Sequence, residues 1–463
     1  MGTAAERSRL SAAPTGSRQL SRSGAATLIF FTAIAAALSF ASFMRAPLSW
    51  DGSFYLFQML DRQWWFVAQR HRWINYALQV PTLVAMRFTW NIGTLSLIFS
   101  LSYASVSIVG LTVSWLVCRK RPALFIWPAI GIGLATVAGI FNFNSEATMT
   151  APLFWPVLLA SLVGVSDLEL ILVALLAIAM LIVHPNALGV LGLGAVTALV
   201  SAMIPPFKPM RLAGAAALAM LAVARLIIPL TPYEHTQLVG FNLSKTFTWG
   251  IEGWPLASFG VTALAAALCV LQGFDRKANR SVDFAFTAAV IVAGLMLVPW
   301  AMNPSAWSNE MESRFWMVPM SLVVMAACAL DAWLMSDQIA LWHRRQPALL
   351  ALGAIFLIVL SIQSLVWNEL TNRLQADIEN EGCIAIISLP WTTTTPMNHW
   401  STASYAILLQ GRTPHTLLLD REGCREFADD GTLHIIWMHR KSGSGWFDFS
   451  QVPAERLHSP WER

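Results

Sequence analysis

The feature that most limits what this chain can become is a succession of apolar runs, each nearly free of charge and closed by a short polar turn. Of its 463 residues, 56% are hydrophobic and only 12% charged. A soluble domain carries roughly a quarter charged residues, so lipid is the expected solvent. In hydrocarbon every backbone N–H and C=O must find its partner within the segment, which leaves helices as the reading for apolar runs of about 20 residues. Such runs fall at 24–43, 93–118, 122–141, 147–163, 168–183, 187–204, 212–230, 255–274, 284–300, 315–334 and 348–366. They predict an α-helical polytopic membrane protein of about 11 spans.

The placement of positive charge orients it. Residues 1–23, with Arg7, Arg9, Arg18 and Arg22 among Ser, Gly and Ala, read as a disordered cytoplasmic tail. The run at 24–43 is too long for a signal peptide's apolar region and reads as a retained first span. Basic turns at 119–121, 208–211, 276–280 and 343–345 then all share the cytoplasmic side. The transmembrane module occupies 24–367, in a plasma or inner membrane, and a large first external loop spans 45–90. That loop mixes Trp64, Trp65 and Phe66 with Asp61, Arg62, Arg70 and Arg72, the pattern of helices lying in the interface plane. Residues 368–463 hold strand-like runs at 384–389, 416–419 and 434–438 between Gly, Pro and Asp clusters, so a small C-terminal α/β domain on the outer (periplasmic) face is expected. Cys383 and Cys424 lie in it and are the natural candidates for a disulfide in an oxidising compartment. Cys118, Cys269 and Cys328 sit in or beside apolar runs, where a thiol acts as a small hydrophobe. No basic stripe suggests nucleic acid as a partner; membrane lipids are the expected surroundings.

Polar chemistry concentrates on the outer face. Arg45, Arg62, Arg70, Arg72 and Arg87 all break the cytoplasmic bias of basic residues. Arginine forks match phosphate oxygens, so a phosphate-bearing lipid is one reading and snorkelling to headgroups the other. Asp51 follows the first span almost at once. It reads either as a base poised to take a proton from a hydroxyl or as the cap of a helix beginning near Ser53. His184, before Pro185 and Asn186, reads as a phosphate partner or as part of a capped interhelical turn. Glu146 reads as a polar contact at a site or as a first-turn acid complementing the helix dipole. The loop 231–254, with Tyr233, Glu234, His235 and Lys245, could gate a donor site but forms no motif, and the histidines form no zinc pattern.

Three short motifs accompany this architecture: Trp50-Asp51-Gly52-Ser53-Phe54-Tyr55, then Ser145-Glu146 after Asn142-Phe143-Asn144, then Glu312-Ser313-Arg314-Phe315-Trp316 with Pro319. With the long first external loop and the C-terminal external domain, they resemble the C-type glycosyltransferase (GT-C) superfamily over most of residues 24–367. The resemblance implies sugar transfer from a polyprenyl-phosphate donor to a lipid, glycan or protein acceptor, with inversion. It makes Asp51 the catalytic base and places Arg314 near the donor phosphate. Arg62, Arg70, Arg72 and His184 are further candidates for the donor, and Tyr55, Asp61, Asn144 and Glu146 for supporting contacts. Many relatives have two adjacent acids in the first loop, whereas Gly52 follows Asp51, and metal-dependent relatives use an acidic pair where only Glu146 stands. No cofactor is therefore expected: a metal-independent reaction is favoured, with a divalent cation as the alternative. The rival functions are a lipid-linked saccharide transporter or flippase, and a non-catalytic envelope assembly factor. Nearly charge-free span interiors, with Arg225 near a span's end as the main exception, weigh against the first.

Overall fold

A computed structural model describes residues 15–67, 72–138, 146–203, 209–232, 234–235, 254–275, 279–304, 323–333, 338–379, 383–385, 389–397, 401–419 and 446–448. The chain is an α-helical membrane protein. Its helices are α1 (Thr15–Phe43), α2 (Asp51–Arg62), α3 (Ile74–Ala85), α4 (Ile92–Val117), α5 (Ile126–Ala138), α6 (Glu146–Val163), α7 (Asp167–Leu181), α8 (Ala187–Met203), α9 (Pro209–Ile227), α10 (Trp254–Phe274) and α11 (Arg280–Met302). They are followed by α12 (Val323–Trp333), α13 (Gln338–Ile378) and α14 (Thr402–Gln410). Among the described residues five helices are long and apolar enough to cross a membrane: those holding 24–43, 92–120, 209–227, 280–302 and 339–378. Shorter apolar helices fill the space between them.

Local sequence sets the helix starts. Asn91 caps α4 by accepting the Thr94 amide at 2.8 Å, and Asn279 caps α11 by accepting from Ser281 at 3.0 Å. Ser166 and Glu169 form a capping box at the start of α7. Small residues then let helices approach closely, as membrane packing requires. An added Cβ at Gly110 of α4 would collide with the Pro152 carbonyl of α6, and one at Gly214 of α9 would collide with Ser161. These two glycines press α4 and α9 onto α6, the helix that opens with Glu146.

Four arginines of the basic turns, Arg121, Arg211, Arg344 and Arg345, lie together at one end of the bundle and reach inward, while Arg119 and Arg280 are exposed. Arg211, 1% exposed, donates to the carbonyls of Leu162, Ser201 and Ala332. These are last-turn or C-terminal carbonyls that a helix leaves without partners. Arg121 reaches the same Ala332 carbonyl, and Arg344 pairs with Asp283 and donates to the carbonyls of Gln272 and Asp275. Arg345 forms a forked pair with Asp331, both side chains fully buried, and donates also to the carbonyls of Ala123 and Cys269. Trp127 Nε1 donates to the same Asp331 at 2.6 Å.

Several expectations shift. Residues 343–345 lie within α13 rather than in a turn, because Asp283 and Asp331 supply the partners that let Arg344 and Arg345 remain helical. α13 also continues past residue 367 to Ile378. α1 starts at Thr15, inside the segment expected to be disordered: once a span has nucleated a helix, each added residue gains a hydrogen bond for little further cost. Helix α2 does not lie with one face in lipid, since Gly52 through Leu60 are all buried. It packs against α14, where Ser53 Oγ donates to the Ser401 carbonyl at 3.1 Å and Phe57 meets Phe447. By contrast α3 keeps an exposed apolar face at Tyr76, Val80 and Val84, as an interfacial helix should. The described part of 368–463 holds α14 and two parallel strands, β1 (Cys383–Ala385) and β2 (Leu417–Leu419), in register with Ile384 opposite Leu418. The strand expected at 434–438 lies outside the described residues.

Replacing Arg345 by Ala strands Asp331 unpaired and is expected to cost about 3–5 kcal/mol, whereas an Asp331→Leu/Arg345→Met double variant recovers most of it. Unfolding in mixed micelles checks both. Equal losses in the two variants would refute the ion pair as the controlling contact.

Candidate functional site

At the opposite end of the bundle, a single carboxylate gathers three donors. Glu146 is the first residue of α6 and 1% exposed. It accepts from the Tyr55 hydroxyl at 3.1 Å, from Arg72 at 2.8 Å and from the Asn75 amide at 2.5 Å. The helix N-terminus adds its own favourable field for the negative charge. Asn75 in turn accepts from the Tyr103 hydroxyl of α4 at 3.0 Å. The other side of Arg72 donates through Nε to Glu234 at 3.2 Å. Glu234 is fixed locally, because its carboxylate accepts the Thr231 amide at 2.9 Å while Thr231 Oγ1 accepts the Glu234 amide at 3.2 Å. That reciprocal pair is a capping box.

Spacing in the first loop builds this arrangement. Asp51 and Tyr55 are four apart on α2 and share a face. Arg72, Asn75 and Gln79 recur at three and four, so the turn leading into α3 and the helix itself present them together. Gln79, fully buried, makes both bonds to the Phe66 backbone, accepting its amide at 2.9 Å and donating to its carbonyl at 2.6 Å. This ties the segment after α2 onto α3. Trp50, just before Asp51, has φ 55 and ψ −130, an unusual conformation for a residue with a side chain. Strain of this kind survives only where the surroundings over-determine it.

The electrostatics follow from burial and charge. Burial pushes the Tyr55 phenol well above its ordinary range, and the carboxylates of Glu146 and Asp51 push it further. Tyr55 therefore remains a proton donor to Glu146 at any physiological pH. Burial would weaken the Arg72 guanidinium, but Glu146, Tyr55 and Glu234 outweigh it and hold Arg72 above its usual value.

Of the residues expected at a site, the structure brings Tyr55, Arg72 and Glu146 into direct contact and sets Asp51 one helical turn from Tyr55, near enough to influence its ionisation. Asp51 is the first residue of α2, in its first turn, and the cap position belongs to Trp50. Arg62 bonds Gln58 at 3.1 Å and lies over the Phe66 ring, on the far turn of α2, with half-buried Asp61 beside it. His184 Nδ1 accepts the Asn186 amide at 3.1 Å, which is the capped interhelical turn. Arg70, Asn144, Arg314 and Cys424 lie outside the described residues; Cys383 lies in β1. Tyr103, Gln79 and Asn75 carried no role in the sequence reading, and Glu234 was read only as part of a loop that could gate the donor site. The Thr231–Glu234 pattern was a usable signal for the last, and the period of Arg72, Asn75 and Gln79 for the second. Tyr103 sits inside an apolar span, with no signal to mark it.

A clamp of rings covers the loop's other end. Trp90 stacks on Trp446 with centroids 4.5 Å apart, and the Arg412 guanidinium lies 4.3 Å from the centre of the Trp90 ring. Arg412 Nε also donates to the Trp446 carbonyl at 3.0 Å. Among the described residues no group of three or more His, Cys, Asp or Glu side chains converges in a way that would hold a metal ion. Comparison with known proteins finds no matching family model, no matching curated protein and no matching solved structure.

Tyr55→Phe is expected to remove one hydrogen bond worth about 1 kcal/mol, and Glu146→Gln, which leaves Arg72 short of a charge partner, about 3–5 kcal/mol. The phenol also carries a pH signature. Its pKa is raised on folding, so its contribution to stability is intact below about pH 10, where a free phenol ionises, and declines as pH rises beyond it. Ultraviolet titration of folded wild type against Tyr55→Phe should show no difference between roughly pH 9 and 11. A tyrosinate step in that window lost with Tyr55 would contradict the buried hydrogen bond.

Proposed function

We propose that this chain is a membrane glycosyltransferase that moves a sugar from a polyprenyl-phosphate donor to an acceptor hydroxyl on the extracytoplasmic side. The observation that carries this reading is the position of Asp51. It is a half-buried carboxylate opening a helix at the end of the bundle away from the basic turns, one turn from the Tyr55–Glu146–Arg72 network. Supporting it are the rigidity of that network and the covering of α2 by α14, which would limit water at a reacting centre.

In this mechanism Asp51 accepts the proton of the acceptor hydroxyl as its oxygen attacks the anomeric carbon. The bond from that carbon to the phosphate oxygen breaks, and its electron pair leaves on the phosphate. The departing group already carries charge, so positive side chains stabilise it without an acid to protonate it. Arg72, held by two carboxylates, contributes through its field; Arg70 and Arg314 are proposed to touch the phosphate directly. The Tyr55–Glu146 bond fixes the rotation of α2 and with it the aim of Asp51. The chemistry runs without a metal.

The accompanying topology has about eleven spans, the basic N-terminal segment in the cytoplasm and residues 368–463 as an extracytoplasmic α/β domain. Transport of a lipid-linked saccharide is the weaker alternative. Coupled transport calls for ionisable groups at mid-membrane depth, and among the described residues the buried ion pairs sit at the two ends of the bundle.

The test is transfer by purified full-length protein from a panel of short-chain polyprenyl-phosphate hexoses and pentoses, read as label appearing in acceptor. Asp51→Asn is expected to lower the rate about 10²–10⁴-fold with folding retained. Undiminished transfer by that variant would remove Asp51 from the mechanism.

A further inference from the structure

Beside the Glu146 network lies a second buried arginine that the mechanism above does not use. Arg225 is in the last turn of α9 and only 5% exposed, so it does not reach out to headgroups. Its described hydrogen bond runs from one terminal nitrogen to the Ile228 carbonyl, at 3.3 Å. Its Nε is buried and, among the described residues, has no hydrogen-bond partner. The guanidinium feels the charges of both Glu234 and Arg72, yet it forms no ion pair within the described residues, since the nearer carboxylate is spent on Arg72 and the Thr231 amide. The two glutamates and two arginines balance in charge, while the Nε–H of Arg225 remains unspent. A buried cation with unsatisfied N–H groups costs stability unless something else accepts from them.

We propose that Arg225 is a further anion contact of this site and takes a phosphate oxyanion, through Nε–H and the neighbouring terminal N–H. Arg72 cannot serve in the same way without leaving its two carboxylates. Only the assignment of that phosphate to a sugar donor rests on the transfer reading; the binding itself does not. The phosphate is either lipid-borne or free, and the two sources are separable.

Full-length protein in phosphate-free maltoside micelles is titrated with a short-chain polyprenyl monophosphate and, separately, with inorganic phosphate, followed by thermal shift and calorimetry. Wild type should bind the lipid-borne phosphate and gain thermal stability from it. Arg225→Gln should weaken that binding about 10- to 100-fold, and Arg225→Lys should weaken it less. Ligand-free Arg225→Gln should unfold at the same temperature as wild type or higher, because an unsatisfied buried charge has been removed. If inorganic phosphate binds as tightly as the lipid, and with the same dependence on Arg225, the site exists and its ligand is a free anion. A wild type that binds neither probe overturns the proposal. So does an Arg225→Gln variant that is destabilised without ligand yet binds like wild type, since Arg225 is then a structural counter-charge to Glu234. Binding that depends on Arg225 in a protein that transfers no sugar would leave this inference standing while the transferase reading fails.

Discussion

A carboxylate withdrawn from water must be repaid in hydrogen bonds and opposite charge, or it costs several kcal/mol. Glu146 meets that demand from three places in the chain: Tyr55 on α2, Arg72 before α3 and Asn75 within α3. Through Asn75 it also reaches Tyr103 on α4, and through Arg72 it reaches Glu234 beyond α9. None of these elements can shift without leaving a buried polar group unsatisfied. The first loop is therefore placed by polar bonds of defined direction, whereas apolar packing alone would tolerate sliding.

The other end of the bundle solves a different problem with the same type of side chain. Several helices stop there, each with carbonyls that no further turn will satisfy. Arg211, Arg121 and Arg345 reach into that space and donate to them. Of these three, only Arg345 has a buried carboxylate for company among the described residues. The guanidinium suits both tasks, being planar, always charged and able to serve several acceptors at once.

How far the sequence could lead depended on which physical rule was in play. Hydropathy located the apolar helices well, because the cost of exposing a backbone to lipid acts over whole runs of residues. Charge bias put the four basic turns on one side, and their arginines Arg121, Arg211, Arg344 and Arg345 do lie together, but it treats lysine and arginine as markers facing water. Nothing in it reveals that Arg211 and Arg345 turn inward. Tyr55, Arg72 and Glu146 were each legible as polar residues in the wrong surroundings. Their mutual contact was not, since no local spacing relates residue 55 to residue 146. The burial of α2 was likewise hidden, because its cover comes from α14, far along the chain. The second basic arginine of α9 read as a charge near a span's end; its depth came only from the fold.

The contact between Ser53 and Ser401 joins positions 348 residues apart. Trp90 and Trp446 repeat the same long closure at the other end of the loop. On the ribosome the first loop must therefore wait, with the apolar side chains of α2 uncovered, while the intervening helices are made and inserted. The membrane surface is an apolar neighbour at hand during that interval. α2 then exchanges it for α14 and Phe447, and only at that stage does the loop acquire its final shape. Maturation of this end of the protein is thus a late event in biogenesis, timed by the arrival of residues 401–448 rather than by insertion of the first spans.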